Sequence, residues 1–321
     1  MLIDGLQCGF FNREIFEDLR RGGFACVTPT FGFWEGAMES LDSIGRWRDL
    51  ARDNADVVVL AGSTADILKA RDTNRVAILP GFQNTNCLEN RIRYVEIFAD
   101  LGIRVMQLTY NNQNELGGSC YEENDSGLAR FGREVVHEMN QAGILVDLSH
   151  VGEKTTLDAI KHSKKPVAIT HANAASLFPH KRNKGDDVLR ALRDNGGVIG
   201  CATYRNITPP SACDSVRAWC EMVARTVEIA GLDHVGIGTD FSHNGSQAYL
   251  DWMRMGRWSR VVNYGAGSAT NSGVAAKPQW FTRPSDLSKV HGGLIEVGFS
   301  EAEADKITSG NWLRVYGEVF G

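Results

Sequence analysis

The chain has 321 residues, 43% hydrophobic and 23% charged, with a formal net charge of -5. These values sit near the globular average, so they exclude a disordered tail and a fibrous protein and leave enough apolar mass for a sizeable core. The mildly acidic balance, without a block of like charge, argues against an electrostatic footprint for nucleic acid or anionic membrane, and points to a small-molecule partner.

The start, Met1-Leu2-Ile3-Asp4-Gly5, has no basic segment followed by an apolar stretch, and no apolar run approaches the roughly 20 residues that span a bilayer. The seven cysteines, Cys8, Cys26, Cys87, Cys120, Cys201, Cys213 and Cys220, are odd in number and scattered, with no CxxC pair. That fits neither a disulfide framework nor a zinc ribbon, so the expectation is a reduced cytoplasmic protein.

In chain order, Leu2-Ile3 and Ala25-Cys26-Val27 are short strand candidates, and Val76 to Leu79 is a longer one. From Cys87, the residues Leu88, Ile92, Val95, Phe98 and Leu101 recur at helical spacing; Gly102 supplies a stop, and Arg104 to Tyr110 reads as a strand. The grammar repeats with Leu128, Phe131, Val135 and Met139 on a helix face, a stop at Gly143, and a strand from Ile144 to Leu148. Pro166 to Thr170, Val198 to Ala202 and Val235 to Gly238 complete about eight strands alternating with helices, the pattern of βα units on a parallel sheet.

That count in a chain of this length predicts a single α/β domain over residues 1–321, a (β/α)8 TIM barrel, which typically takes roughly 250 residues plus insertions. A doubly wound open sheet is the alternative, but the first strand lacks a G-x-G-x-x-G turn. The longest interruption follows the last strand, at about 241–284, with Trp252, Trp258, Trp280 and a small-residue centre at Gly265 to Ala276. It reads as a lid or dimer contact, or as a packed surface excursion.

Barrel active sites are assembled at the C-terminal ends of the strands. Five ends carry unusual polar residues: Gln83, Tyr110, His150, His171 and Asp240. One strand-end histidine is ordinarily a hydrogen-bonded structural group. Two on successive strands with an aspartate on the last are donors that zinc prefers, and an open position there would activate water. His150 and His171 lie one βα repeat apart, so neighbouring strand ends can share one ion.

This constellation resembles the membrane (renal) dipeptidase family, a branch of the metal-dependent amidohydrolase barrels. The resemblance is carried by Asp147-Leu148-Ser149-His150, Thr170-His171-Ala172-Asn173, Arg182-Asn183 followed by Asp186-Asp187-Val188-Leu189, and Gly236-Ile237-Gly238-Thr239-Asp240-Phe241, within matching segments from Ile3-Asp4-Gly5 to Asn311-Trp312-Leu313-Arg314-Val315. It implies that His150 and His171 hold the family's second zinc, that Arg182 grips the substrate carboxylate with its guanidinium fork, and that Asp240 handles the proton of the attacking water. It also implies a homodimer. Without it, Arg182 would read as one cation of the solvated run Lys181-Arg182-Asn183-Lys184.

The chain also departs from the family. Where relatives open with Asp-Gly-His-x-Asp, this chain has Asp4-Gly5-Leu6-Gln7-Cys8; the bridging glutamate falls at Gln83, and the histidine that meets the scissile group falls at Tyr110. Losing two carboxylates leaves a pair of divalent ions poorly compensated, since at about 3.5 Å and an effective dielectric of about 20 they repel by on the order of 20 kcal/mol. The expectation is one divalent metal at most, zinc, held by His150 and His171 with Gln83, Asp240 or water completing the shell, Arg182 and Tyr110 binding substrate, and Asp240 and Tyr110 acting in catalysis.

Two functions of different class follow. One is a dipeptidase-like metal-dependent hydrolase of a dipeptide or other small carboxylate-bearing amide; the other is a repurposed barrel that binds, or cleaves by a lyase-type reaction, a small organic acid. Cys8 reads as a small buried residue or a thiolate ligand. His243 and Glu35 are further candidates for the site, and Cys120 to Asp125 is expected to roof it.

Overall fold

The computed structural model describes residues 1–257, 259–260 and 273–321. Trp258 and most of the small-residue centre at Gly265 to Ala276 lie outside the described residues.

The strands, in chain order, are β1 (Leu2–Gly9), β2 (Phe24–Gly32), β3 (Val58–Leu60), β4 (Val76–Ile78), β5 (Gly81–Phe82), β6 (Val105–Gln107), β7 (Leu145–Asp147), β8 (Ala168–Ala172), β9 (Val198–Cys201), β10 (Val235–Ile237) and β11 (Phe241–His243). The helices are α1 (Arg13–Arg21), α2 (Ala37–Asp53), α3 (Thr64–Asp72), α4 (Tyr94–Asp100), α5 (Arg130–Ala142), α6 (Glu153–His162), α7 (Asp186–Asp194), α8 (Val216–Ala230), α9 (Gln247–Met255), α10 (Val290–Glu296), α11 (Glu301–Asp305) and α12 (Asn311–Phe320).

All strand pairs are parallel, and β1 pairs with both β2 and β10, which closes the sheet into a barrel. An open doubly wound sheet is thereby excluded. Counting β4 and β5 as one strand interrupted at Leu79-Pro80, the closed ring has eight members. Pro80 has no N–H to donate, and the lower half pairs with β2 and β3 while the upper half pairs with β2 and β6. Two short strands lie outside the ring: β3 against β4, and β11 against β1.

Helix ends follow local chemistry. Asn12, Ser63, Ser215 and Ser246 accept the third backbone N–H of α1, α3, α8 and α9. Gly143, predicted as a stop, ends α5 in the left-handed region at φ 68°. The helix expected from Leu88 starts later, because residues 86–88 form a separate 3-10 turn. The strand expected to run to Tyr110 stops at Gln107. The interruption read at about 241–284 begins with β11 and α9.

The bottom of the barrel is sealed by the C-terminal helix. Trp312, Val315, Tyr316 and Val319 of α12 pack on the first residues of the strands, Ile3, Cys26, Val105, Leu145, Ala168 and Val198. The Trp312 indole donates to the Ile237 carbonyl at 2.9 Å, and a Cβ on Gly5 or Gly236 would come within 2.4 or 2.6 Å of its ring. Small residues in the first and last strands therefore admit the indole. With this end filled, the C-terminal mouth is the end of the barrel left to accept a ligand.

Candidate active site

The mouth holds a cavity of about 140 Å³ lined by residues that include Cys8, Gln83, Tyr110, Asn111, His150, Arg182 and Asp240. Four of the five singled-out strand ends thus line one space. His171 is fully buried and stands behind it, against His150.

Two buried carboxylates place the site by the same device. Asp147, ending β7, accepts Ser149 N and Oγ and Thr170 N and Oγ1, at 2.5 to 3.0 Å, which locks β7 to β8. Asp4 in β1 accepts Leu6 N, Gln7 Nε2, Thr239 N and Thr239 Oγ1, fixing the segment that presents Asp240. Burial raises the pKa of both aspartates, opposed by these hydrogen bonds. Asp240 itself has φ 57°, a left-handed conformation that is uncommon for a residue with a side chain.

The two histidines face each other through Nε2, 3.1 Å apart. Their tautomers follow from what lies behind them. Ser149 and Thr170 commit their hydroxyl protons to Asp147, so Thr170 Oγ1 accepts from His171 Nδ1 at 2.8 Å. His150 Nδ1 donates to Asn111 Oδ1 at 2.8 Å. Both Nε2 atoms therefore present lone pairs to one another, an arrangement satisfied by a shared cation. Burial, with the Arg182 charge adding to it, holds both imidazoles well below their ordinary pKa, so they are neutral and available as donors to metal.

That separation is close to the roughly 3.3 Å edge of a tetrahedron with zinc–nitrogen bonds of about 2.0–2.1 Å. Gln83 supplies a third feature: its Nε2 donates to Thr30 Oγ1 at 2.7 Å, while its buried Oε1 has no hydrogen-bond partner among the described residues. Among those residues no group of three or more His, Cys, Asp and Glu side chains converges to hold a metal. The donor set fits one ion held by two imidazoles with a neutral amide oxygen nearby, and offers no cluster of carboxylates for a second.

Arg182 is buried, not solvated; of the run from Lys181 to Lys184 only Lys181 is exposed. Its guanidinium donates to the carbonyls of Ser149 at 2.5 Å and His171 at 3.0 Å, and the residue lines the cavity. Lys184, which the sequence did not flag, is buried with Nζ donating to the Val151 carbonyl at 2.5 Å, and burial pulls its pKa down to about 8. Tyr110 stacks on the His150 ring at 4.2 Å and meets Phe33 and Trp34 edge-on. Burial, then the neighbouring Asp240, pushes its phenol well above the ordinary value, so the hydroxyl stays a donor.

Burial raises Asp240 to about 7, with the Arg182 cation opposing and Asp4 reinforcing the rise. Cys8 lines the cavity as a protonated thiol, pushed up by burial and by Asp240. Leu6 is buried.

Two further candidates serve structure. His243 Nε2 pairs with Gln7 Oε1 at 2.7 Å, outside the cavity lining. Glu35 accepts Phe33 N and Trp34 N and lies outside it too. The expected roof is present in part, through Tyr121. Sequence reasoning missed Asn111, which orients His150, and Tyr204, Arg205, Tyr249, Arg254 and Lys277, which line the walls. Asn111 adjoins a flagged strand end; the others come from loops and α9, where nothing in a local pattern marks them.

The fold and this mouth define a (β/α)8 barrel with an imidazole pair and a carboxylate at its catalytic end. The family model for membrane dipeptidases, peptidase family M19, matches residues 24–263, and the chain belongs to that family. An amidohydrolase from Pseudomonas aeruginosa is 37% identical with a TM-score of 0.94, over 100% of this chain and 97% of that one. A Rhodobacter sphaeroides metallo peptidase, solved with a phosphinate mimic of the dipeptide L-Ala-D-Ala, is 18% identical with a TM-score of 0.79 over 99% of both chains, a likeness of fold. The dipeptidase tcpJ of Claviceps purpurea is 28% identical over 286 residues, 88% of this chain and 59% of that protein. An uncharacterised dipeptidase of Schizosaccharomyces pombe is 31% identical over 210 residues, 63% of this chain and 50% of that protein. The chain thus spans about half to three fifths of the length of these curated relatives.

Proposed function

We propose that the chain is a dipeptidase-like metal-dependent hydrolase of small carboxylate-bearing amides, working with a single divalent ion, zinc by preference. The observation that carries this reading is the pair of Nε2 lone pairs facing each other at 3.1 Å, with both Nδ1 atoms already engaged.

His150 and His171 would hold the ion, with Gln83 Oε1 as the third donor. When bound, it supplies Lewis acidity toward the amide carbonyl and toward water. Arg182 binds the substrate carboxylate through the N–H groups its two backbone contacts leave over, which orients the amide over the histidines. Asp240 accepts the proton of the attacking water and returns it to the departing nitrogen; a carboxyl that titrates near neutrality suits both halves of that task. The Tyr110 hydroxyl donates to the oxygen on which negative charge develops.

The segment carrying α9 and residues 274–278 contributes to the cavity lining and acts as a lid in this reading. Seven free cysteines agree with a reducing, cytoplasmic setting, and no helix among the described residues is long and apolar enough to cross a membrane. The family resemblance favours a homodimer.

Metal analysis of protein purified without added zinc, followed by a dipeptide panel, tests the reading. About one equivalent of metal, lost together with turnover in His150→Ala, supports it. A protein that holds no metal and gains no turnover with Zn²⁺ or Mn²⁺ refutes it and leaves the lyase-type or binding alternative.

A further inference from the structure

The whole chain is acidic, yet its cavity is not. Arg182, Arg205, Arg254 and Lys277 all line the space, against one carboxylate, Asp240. The other polar lining groups are amides, hydroxyls, a thiol and the neutral imidazole of His150. Residues 261–272 contain no Asp or Glu that could balance the count.

The cations are also distributed. Arg182 lies at the floor, tied to the Ser149 and His171 carbonyls. Arg205 follows β9, with its Nε buried and lacking a hydrogen-bond partner among the described residues. Arg254 belongs to α9 and hydrogen-bonds the Tyr204 hydroxyl. Lys277 sits over the Phe241 ring at 3.9 Å and donates to the Thr282 carbonyl. No ion pair joins Arg182, Arg205 or Lys277 to a carboxylate among the described residues.

A free dipeptide brings one carboxylate and one ammonium. The first has Arg182; the second would enter a cavity where Arg205 and Lys277 carry charge that no acid pairs among the described residues, so like charge disfavours it and a bound divalent ion would add to the penalty. We propose that the substrate is an amide with two anionic groups and no free ammonium: an N-acylated amino acid whose acyl part ends in a second acid. Its amino-acid carboxylate lies on Arg182, and its second acid points toward Arg205 and Lys277. Hydrolysis adds water across the amide, giving the free amino acid and a dicarboxylate. The proposal rests on the hydrolase reading for that reaction, but its charge selection is a property of binding alone.

Three probes with a common phenylalanine half separate the claims: N-succinyl-L-phenylalanine, N-acetyl-L-phenylalanine and glycyl-L-phenylalanine, tested on the full chain as purified, by initial rates and by calorimetric titration. The expected order is succinyl over acetyl over glycyl, with at least tenfold between the first and last. Added salt should erode that preference. Arg205→Gln and Lys277→Gln are each expected to weaken the succinyl compound threefold or more without weakening the glycyl compound, because each change also removes a charge that repels its ammonium. Equal or better use of the zwitterionic glycyl compound overturns the proposal, as does an acetyl compound that matches the succinyl one. If none of the three is cleaved although the succinyl compound still binds best, the hydrolase reading fails and the charge selection stands.

Discussion

Replacing Asp240 by asparagine links stability to the site. Burial raises this carboxyl from 3.8 to about 7, so the folded chain holds the proton more tightly than the unfolded chain does. Ionisation therefore opposes folding. The stability associated with the protonated group is fully present below about pH 4, declines as pH rises, and is gone above about pH 7. A rise of about three pKa units corresponds to about 4 kcal/mol, and since the carboxyl still meets cavity water, 2–4 kcal/mol is the range expected. Asparagine is neutral throughout, so the stability of Asp240→Asn minus that of the parent should grow by about 2–4 kcal/mol between pH 4 and pH 8. Urea unfolding of both proteins in EDTA at four or five pH values measures it. The buried Asp147 titrates alike in both proteins and cancels in the difference, whereas the repulsion between Asp4 and Asp240 is part of what the difference measures. A difference that stays flat across this window would falsify the assignment of a perturbed carboxyl. Turnover by Asp240→Asn should fall by on the order of 100-fold or more at every pH.

Other consequences are as direct. His171→Ala should abolish the rise in melting temperature that Zn²⁺ gives the parent protein, although this side chain does not line the cavity; an unchanged shift would place the metal elsewhere. Thr170→Val removes the acceptor that fixes the His171 tautomer and a donor to Asp147, and should cost about 1–3 kcal/mol in denaturant melts. The same change should weaken zinc binding roughly tenfold to a hundredfold by competition with a chromogenic chelator. Tyr110→Phe should lower kcat by on the order of 100-fold with little change in KM, because the lost hydrogen bond forms mainly in the transition state. A Cβ on Gly238 would lie 1.7 Å from the Thr170 carbonyl oxygen, so Gly238→Ala should cost more than about 4 kcal/mol or yield no soluble protein.

Much of this molecule was legible in the chain. Apolar runs closed by polar residues, repeating at the length of a βα unit, determined the barrel and named Gln83, Tyr110, His150 and Asp240, all of which line one cavity. Alternation of strand and helix is a local property, and the strand end is where a barrel must open, so a linear reading reaches that far. It did not reach the orientation of side chains. His243 and Glu35 looked equally available but are spent on Gln7 and on two backbone amides, while His171 turned out to stand behind His150. Tautomers depend on Asn111 and Thr170, and the positive wall on Arg205, Arg254 and Lys277, from three segments distant in sequence. Only closure of the barrel, by β1 pairing with both β2 and β10, brings those segments over one mouth. Local patterns carry the barrel and the chemistry of its strand ends; which lone pairs face each other, and what charge surrounds them, is set by long-range contacts that no local pattern encodes.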